Sequence, residues 1–255
     1  MTDVALVTGA STGIGNSTAL HLARNGYHVF ATMRNPSAGQ ELDQIANDEK
    51  LSLDVLALDV NDEQSAQACI DEAVSRSGRI DVLVNNAGVG SSQDPKPLAE
   101  FDDDFWDLTF AVNVTAPYLL TKCTLPSMVE AGWGRIVNIA SINAKLPALH
   151  GAAYTASKHA IAGLTKATAK EVGDRGVTAN AVCPGVTATL MNDKRLEYDA
   201  ERTGQSFAQL EENASPLGRR LIPEEVAALA VFLCGDSASA INGQSFNVCG
   251  GVCFN

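Results

Sequence analysis

Seven short apolar runs punctuate this chain, and longer amphipathic stretches separate them. The runs are VALVT (4–8), HVFATM (28–33), LDVLAL (53–58), IDVLVN (80–85), RIVNIA (135–140), VTANAVC (177–183) and SFNV (245–248). They are rich in Val, Ile and Ala and carry few charges, as strands buried on both faces do. Helical spacing predicts a helix from Gly13 to the Asn25-Gly26 stop, and another over about 62–77 with Ala66, Cys69, Ile70, Ala73 and Val74 on one face. Long helices are predicted over about 103–130 and 152–173. A last one opens at Pro223, with Glu224 and Glu225 in its first turn, where the helix dipole favours acids. Strand–helix alternation of this kind predicts an α/β fold: a doubly wound, parallel, seven-stranded sheet with helices on both faces. No repeat, low-complexity tract or linker interrupts the pattern, so residues 1–255 read as one domain. The segment 186–217 breaks the rhythm. It is polar and charged with no clear strand, which fits a lid, a binding loop or disorder.

Composition narrows the field. With 45% hydrophobic and 19% charged residues, the 255-residue chain reads as a globular protein. No run approaches the length of a membrane span. The start, MTDVALVTGAS, lacks a basic segment before its apolar run and does not read as a signal peptide, so a cytoplasmic location is expected. The net charge of −12 argues against nucleic acid and against anionic membrane surfaces as partners. Cys69, Cys123, Cys183, Cys234, Cys249 and Cys253 lack metal-ligand spacing and are expected to be reduced thiols, with no metal site. The N-x-[ST] triplets at Asn16, Asn113 and Asn213 are then expected to be chance matches or to have other roles.

Two stretches carry candidate chemistry. The first is TGASTGIG (8–15), between the first strand and the first helix. Gly9, Gly13 and Gly15 tolerate φ > 0 and let a pyrophosphate approach the backbone. The helix that follows aims free N–H groups and its positive dipole end at such a group. Ser11, Thr12 and Ile14 complete this candidate dinucleotide loop. The second is GAAYTASKHA (151–160), which places Lys158 one turn after Tyr154. A free phenol titrates near pKa ~10. A cation on the same helix face lowers that value and makes tyrosine a usable acid or base. The alternative is an ordinary surface pair.

The loop spacing, G-x-x-x-G-x-G, together with NNAG (85–88), Asn113, Ser141, YTASK (154–158) and PGVTAT (184–189) in order, resembles the short-chain dehydrogenase/reductase family over nearly the whole chain. The resemblance implies a Rossmann-type sheet and an oxidoreductase that moves hydride between a nicotinamide cofactor and a ketone or secondary alcohol. It implies a catalytic set of Asn113, Ser141, Tyr154 and Lys158, in which Asn113 disturbs its helix and holds a water in contact with the lysine. It also implies that Asp59 contacts the adenine amino group with Val60 beside the ring, although Asp59 could equally cap the helix starting near Asn61. Asn86, Ala87 and Gly88 would lie under the adenosine ribose, with Asn85 tying strands together. Pro184 and Gly185 would turn the chain over the nicotinamide, and Thr187 and Thr189 would take its carboxamide and phosphate side. Cys249 stands where the family often has Asp before the late Gly-Gly.

Cofactor choice depends on the end of the second strand. An acid there holds a ribose hydroxyl and an arginine accommodates a 2′-phosphate. Met33 occupies the usual acid position and Arg34 follows it, which favours NADP(H) over NAD(H). The substrate pocket is expected between 89–97, 142–151 and the lid. His150 is either a substrate contact or a surface residue. The resemblance implies a homotetramer or homodimer, paired through the long helices. A 3-oxoacyl thioester reductase is the nearest rival activity. A non-catalytic dinucleotide-binding regulator is the rival from another class, and the presence of all four catalytic positions argues against it.

Overall fold

The computed structural model describes residues 2–254. Seven strands form one parallel sheet: β1 (Val4–Val7), β2 (His28–Met33), β3 (Leu53–Ala57), β4 (Val82–Asn85), β5 (Gly134–Ile139), β6 (Val177–Pro184) and β7 (Ser245–Val248). Their spatial order is β3-β2-β1-β4-β5-β6-β7, every neighbouring pair parallel. The order reverses between β1 and β4. At such a switch point two connecting segments leave the strand ends in opposite directions and open a crevice.

Alternate residues of β1, β2, β4 and β5 feed two cores. On one face Ala5 and Val7 of β1 pack with Leu20, Leu22 and Ala23 of α1 (Gly13–Arg24) and with Val226, Ala230 and Leu233 of α9 (Pro223–Cys234). On the other, Val4 and Leu6 pack with Ala66, Ile70 and Ala73 of α3 (Glu63–Ser77), Leu120 and Met128 of α5 (Ala116–Ala131) and Ala169 and Val172 of α6 (Ala152–Val172). This is why the strand sequences are apolar throughout rather than alternating. Below the crevice, the Asn85 amide donates to Asn138 Oδ1 at 2.8 Å and the Asn138 amide donates to Thr165 Oγ1 at 2.9 Å. Asn85 therefore ties β4 to β5, as expected, and Asn138 extends the tie to α6.

Three helical features depart from the sequence pattern. The periodic reading assigns nothing between β2 and β3, yet α2 (Gln40–Glu49) forms there. It buries only Leu42 and Ala46, too few positions to give a periodic signal. The predicted helix over 103–130 divides into α4 (Asp103–Phe110) and α5, joined by a π-helical segment, Ala111–Thr115. The segment 186–217 is mostly helical, with α7 (Leu190–Thr203) and α8 (Phe207–Glu212). Leu196 is the single buried residue in those two helices, so their sequence looks like loop. Among the described residues no helix is long and apolar enough to cross a membrane, and no cluster of His, Cys, Asp and Glu suits a metal.

Candidate active site

The glycine loop is shaped by what it touches. Gly9 and Gly13 have φ of 67° and 61°. A Cβ on Gly9 would lie 2.8 Å from Ala87 Cα, and one on Gly13 would lie 3.0 Å from Thr189 Cγ2. A Cβ on Gly15 would collide with the Asn86 amide and the Gly9 carbonyl. Asn86 locks the loop from the next strand: its amide donates to Thr8 O at 2.8 Å and Gly9 O at 3.0 Å. The Thr8 hydroxyl oxygen accepts the N–H groups of Asn86 and Ala87 at 2.9 and 3.0 Å. Thus the loop and the NNAG segment form one unit across β1 and β4. Thr12 is the extended N-cap of α1, its side chain makes no capping bond, and the first turn holds no acid. Free N–H groups and a positive dipole end therefore face the crevice. Ser11 is part-exposed beside them, and Ile14 packs on the core beneath. A cradle whose walls leave no room for a Cβ, at an acid-free helix N-terminus, fits the pyrophosphate of a dinucleotide.

At the outer end of this cradle Met33 is buried and Arg34 is exposed. Asp59 accepts the Asn61 N–H at 3.0 Å, and its own N–H donates to Ser65 Oγ at 2.9 Å. The cap of α3 is Asp62, which accepts from Gln64 and Ser65. The capping alternative for Asp59 is therefore corrected: its carboxylate closes a tight turn upstream of the helix. Asp59 and Val60 are both part-exposed.

Asn113, Ser141, Tyr154 and Lys158 converge at the ends of β4 and β5. Lys158 is 5% exposed; its ammonium donates to Ile139 O at 2.9 Å and lies 5.6 Å from the centre of the Tyr154 ring. A Cβ on Gly88 would sit 3.3 Å from Asn113 Oδ1 and 3.8 Å from Lys158 Nζ, so NNAG forms the floor of this group. Ser141 lies just beyond β5 and caps a short turn by accepting the Asn143 N–H at 3.1 Å. Asn113 sits in the π-helical segment and its side chain is fully engaged. Its Oδ1 accepts the Val89 N–H at 2.8 Å, and its amide donates to Val89 O at 3.0 Å and Ser157 Oγ at 3.1 Å. A π-bulge lets the helix release this side chain toward a neighbouring strand end.

Burial changes the electrostatics expected from the helix spacing. It pushes the Tyr154 phenol above its ordinary value, and the neighbouring Ser141 hydroxyl opposes this only in part. Burial also pulls the Lys158 ammonium down to about 8. The expectation that lysine lowers the phenol's pKa is therefore not met by the protein alone. Desolvation penalises the charged form of both groups.

On the far wall, a Cβ on Gly185 would lie 2.9 Å from Cys249 Cα, so Pro184 and Gly185 turn tightly over β7. Thr187 is buried, its hydroxyl donating to Gly185 O at 3.0 Å. The Thr189 hydroxyl caps α7 by accepting the Asn192 N–H. The structure thus gives Thr189 a local capping role that the motif had not suggested. Ser157 and Thr8 were absent from the sequence-derived set. Ser157 is fully buried, accepts from Asn113 and donates to Tyr154 O at 2.8 Å. Its position inside YTASK was the available signal; a buried hydroxyl facing another helix was not legible.

The chain is similar to several known proteins over nearly its whole length. A family model described as enoyl-(acyl carrier protein) reductase matches residues 9–253. A Streptomyces virginiae protein named as a ketoacyl reductase of the monensin polyketide synthase is 40% identical over 254 residues, spanning 98% of this chain and 96% of its own. The D-beta-hydroxybutyrate dehydrogenase of Cupriavidus necator is 34% identical, with 97% and 96% covered. Among solved structures, a variant of actinorhodin polyketide ketoreductase with NADPH superposes with a TM-score of 0.93 at 36% identity, covering 98% of this chain and 97% of that one.

Proposed function

The chain belongs to the short-chain dehydrogenase/reductase family and is an oxidoreductase, and from that premise we propose that Tyr154 is its acid/base and NADP(H) its preferred cofactor. The observation that carries the reading is the enclosed Tyr154–Lys158 pair beside Ser141, at the mouth of the glycine-loop crevice. When bound, the nicotinamide supplies the hydride for a ketone or takes it from a secondary alcohol. In reduction Tyr154 gives its proton to the carbonyl oxygen; in oxidation it takes that proton back. Its raised pKa keeps the phenol protonated near neutral pH, which suits the reductive direction. The Ser141 hydroxyl donates to the same oxygen as charge builds there. Lys158 holds the nicotinamide ribose, and while protonated, below about pH 8, it eases loss of the phenol proton. Asn113 fixes the Val89 backbone against α6 and links the proton path to solvent.

Gly9, Ser11, Thr12, Gly13 and Ile14 would hold the pyrophosphate side, Asn86, Ala87 and Gly88 the ribose, and Asp59 with Val60 the adenine. Pro184, Gly185, Thr187 and Thr189 would close over the nicotinamide. Arg34 supports the phosphorylated cofactor, since no acid competes with it at the strand end. The same reading makes residues 1–255 one domain with a lid at 186–217. It places the enzyme in the cytoplasm as a homotetramer or homodimer, for which the exposed Tyr118 of α5 offers apolar surface.

The test is nicotinamide absorbance with NADPH and NADH, each against diketones, cyclic ketones, keto-sugars, steroids and acyl thioesters. Arg34→Ser should lower kcat/KM with NADPH about tenfold and leave NADH turnover unchanged, a loss of ~1.4 kcal/mol in recognition. Equal losses with both cofactors would remove Arg34 from the phosphate site. A second reading, reduction of 3-oxoacyl thioesters, is favoured by the ketoacyl reductase relative. The charge of −12 weighs against an acidic carrier as donor, so a free thioester is the form to assay first.

A further inference from the structure

His150 and Lys50 are the two non-glycine residues with positive φ among the described residues. Lys50 ends α2 as a left-handed cap, an ordinary place for that conformation. His150 has no such excuse, with φ of 55° in the loop leading into α6. A bulky residue stays there only when its surroundings over-determine it. The surroundings come from α7. Tyr198 Oη and His150 Nδ1 are hydrogen-bonded at 2.6 Å. One turn earlier on the same helix, the Arg195 guanidinium donates to Leu149 O at 3.0 Å and lies 5.4 Å from the centre of the Tyr198 ring. Asp199 holds that guanidinium from the other side at 2.8 Å.

These two grips fall on consecutive residues, and Gly151, the N-cap of α6, follows at once. Gly151 O accepts the Thr155 N–H at 2.9 Å, and the Thr155 hydroxyl oxygen accepts the Ala148 N–H at 3.1 Å. Residues 148–151 and the first turn of α6 are therefore tied as one piece, and that turn carries Tyr154. The third wall is joined as well: Ser92 Oγ donates to Met191 O at 2.9 Å, and a Cβ on Gly90 would collide with the Met191 side chain.

We propose that Tyr198, acting through His150, is a positioning residue: its hydroxyl latches α7 onto residues 149–150 and thereby sets where Tyr154 meets the carbonyl. The inference rests on the proposed function for its catalytic consequence, while the latch itself is a physical contact that can be tested alone. Sequence reading offered His150 as a substrate contact or a surface residue; the latch gives it a third role.

Tyr198→Phe keeps the ring beneath Arg195 and removes only the hydroxyl. Its kcat/KM for the carbonyl should fall about tenfold, with KM for NADPH unchanged and the melting temperature within about 1 °C of the parent. His150→Asn tolerates the left-handed backbone but cannot span the gap, and should give a similar loss. The double variant should be no worse than either single one, because both remove the same bond. Independently of turnover, limited trypsin cleavage at Lys194, Arg195 or Arg202 should quicken several-fold in Tyr198→Phe. Parental kcat/KM in Tyr198→Phe, or strictly additive losses in the double variant, would overturn the proposal. If the parent enzyme turns over none of these carbonyls, cleavage alone decides the latch: faster cleavage in Tyr198→Phe keeps it and unchanged cleavage removes it, while the role of Tyr154 is judged only by turnover.

Discussion

The candidate catalytic group and the α7–α8 segment meet across residues 149–150 and are built from different forces. Asn113, Ser141 and Lys158 are 2%, 7% and 5% exposed, and their polar atoms are held by backbone and buried hydroxyl partners. The α7–α8 segment is held by charge instead. Arg220 pairs with Asp193 and Glu211 and covers the Phe207 ring at 5.3 Å; Arg195 pairs with Asp199; Tyr198 meets His150. A buried bond is costly to leave unmade, because water cannot replace the lost partner. A part-exposed ion pair is weak, salt-sensitive and easily re-formed. The first set of contacts therefore holds its geometry more firmly than the second.

Substitutions in the buried group should have the largest effects. Tyr154→Phe should reduce turnover at least a thousandfold, roughly the contribution of a positioned acid/base, with NADPH binding intact by fluorescence titration. Substantial residual turnover would mean that another group moves the proton. Next comes Asn113→Ala, which strands the Val89 N–H and C=O without partners. It should cost about 3 kcal/mol in urea unfolding and remove most activity; a loss below about 1 kcal/mol would show that water satisfies those groups and that this group is not rigid.

Lys158 links the buried group to pH. Its folded value of about 8 lies below its ordinary 10.5, so between these values the unfolded chain carries a proton that the folded chain lacks. Stability contributed by this residue therefore rises with pH through that window, and the cost is fully present below about pH 8. Denaturant midpoints of the parent and Lys158→Met should diverge more at pH 7 than at pH 10, with the variant the more stable at pH 7. Parallel curves would place the ammonium in a wetter site. The smallest effect belongs to the charged segment. Arg220→Ala should change global stability by less than about 1 kcal/mol while raising the carbonyl KM several-fold, and added salt should affect the parent more than the variant. A kcat loss without a KM change would argue that α7 and α8 do not gate access.

The contrast also explains what could be read in advance. Strands β1, β2, β4, β5 and β6 bury nearly whole runs and α1, α3, α6 and α9 bury stripes, and burial on that scale leaves a trace in the chain. The glycine loop, NNAG, Asn113, Ser141 and YTASK stood in order, and the fold brings them to one crevice. α2, α7 and α8 bury too little to leave a trace. The phenol's pKa was expected to fall from helix spacing alone, but spacing reports who is near and not how much water remains.

By itself, then, the sequence determined the parallel sheet, the glycine loop between its first strand and first helix, and the candidate residues that the fold gathers at one crevice, because local periodicity and strand-end motifs are written into neighbouring residues. Tertiary structure decided the rest: that Asn86 fills the space only Gly15 leaves, that Ser157 braces Asn113, that Tyr154 is pushed up and Lys158 down, and that Tyr198 reaches His150. Each of these depends on segments distant in the chain arriving within a few ångströms, where packing and desolvation, rather than propensity, set the energy.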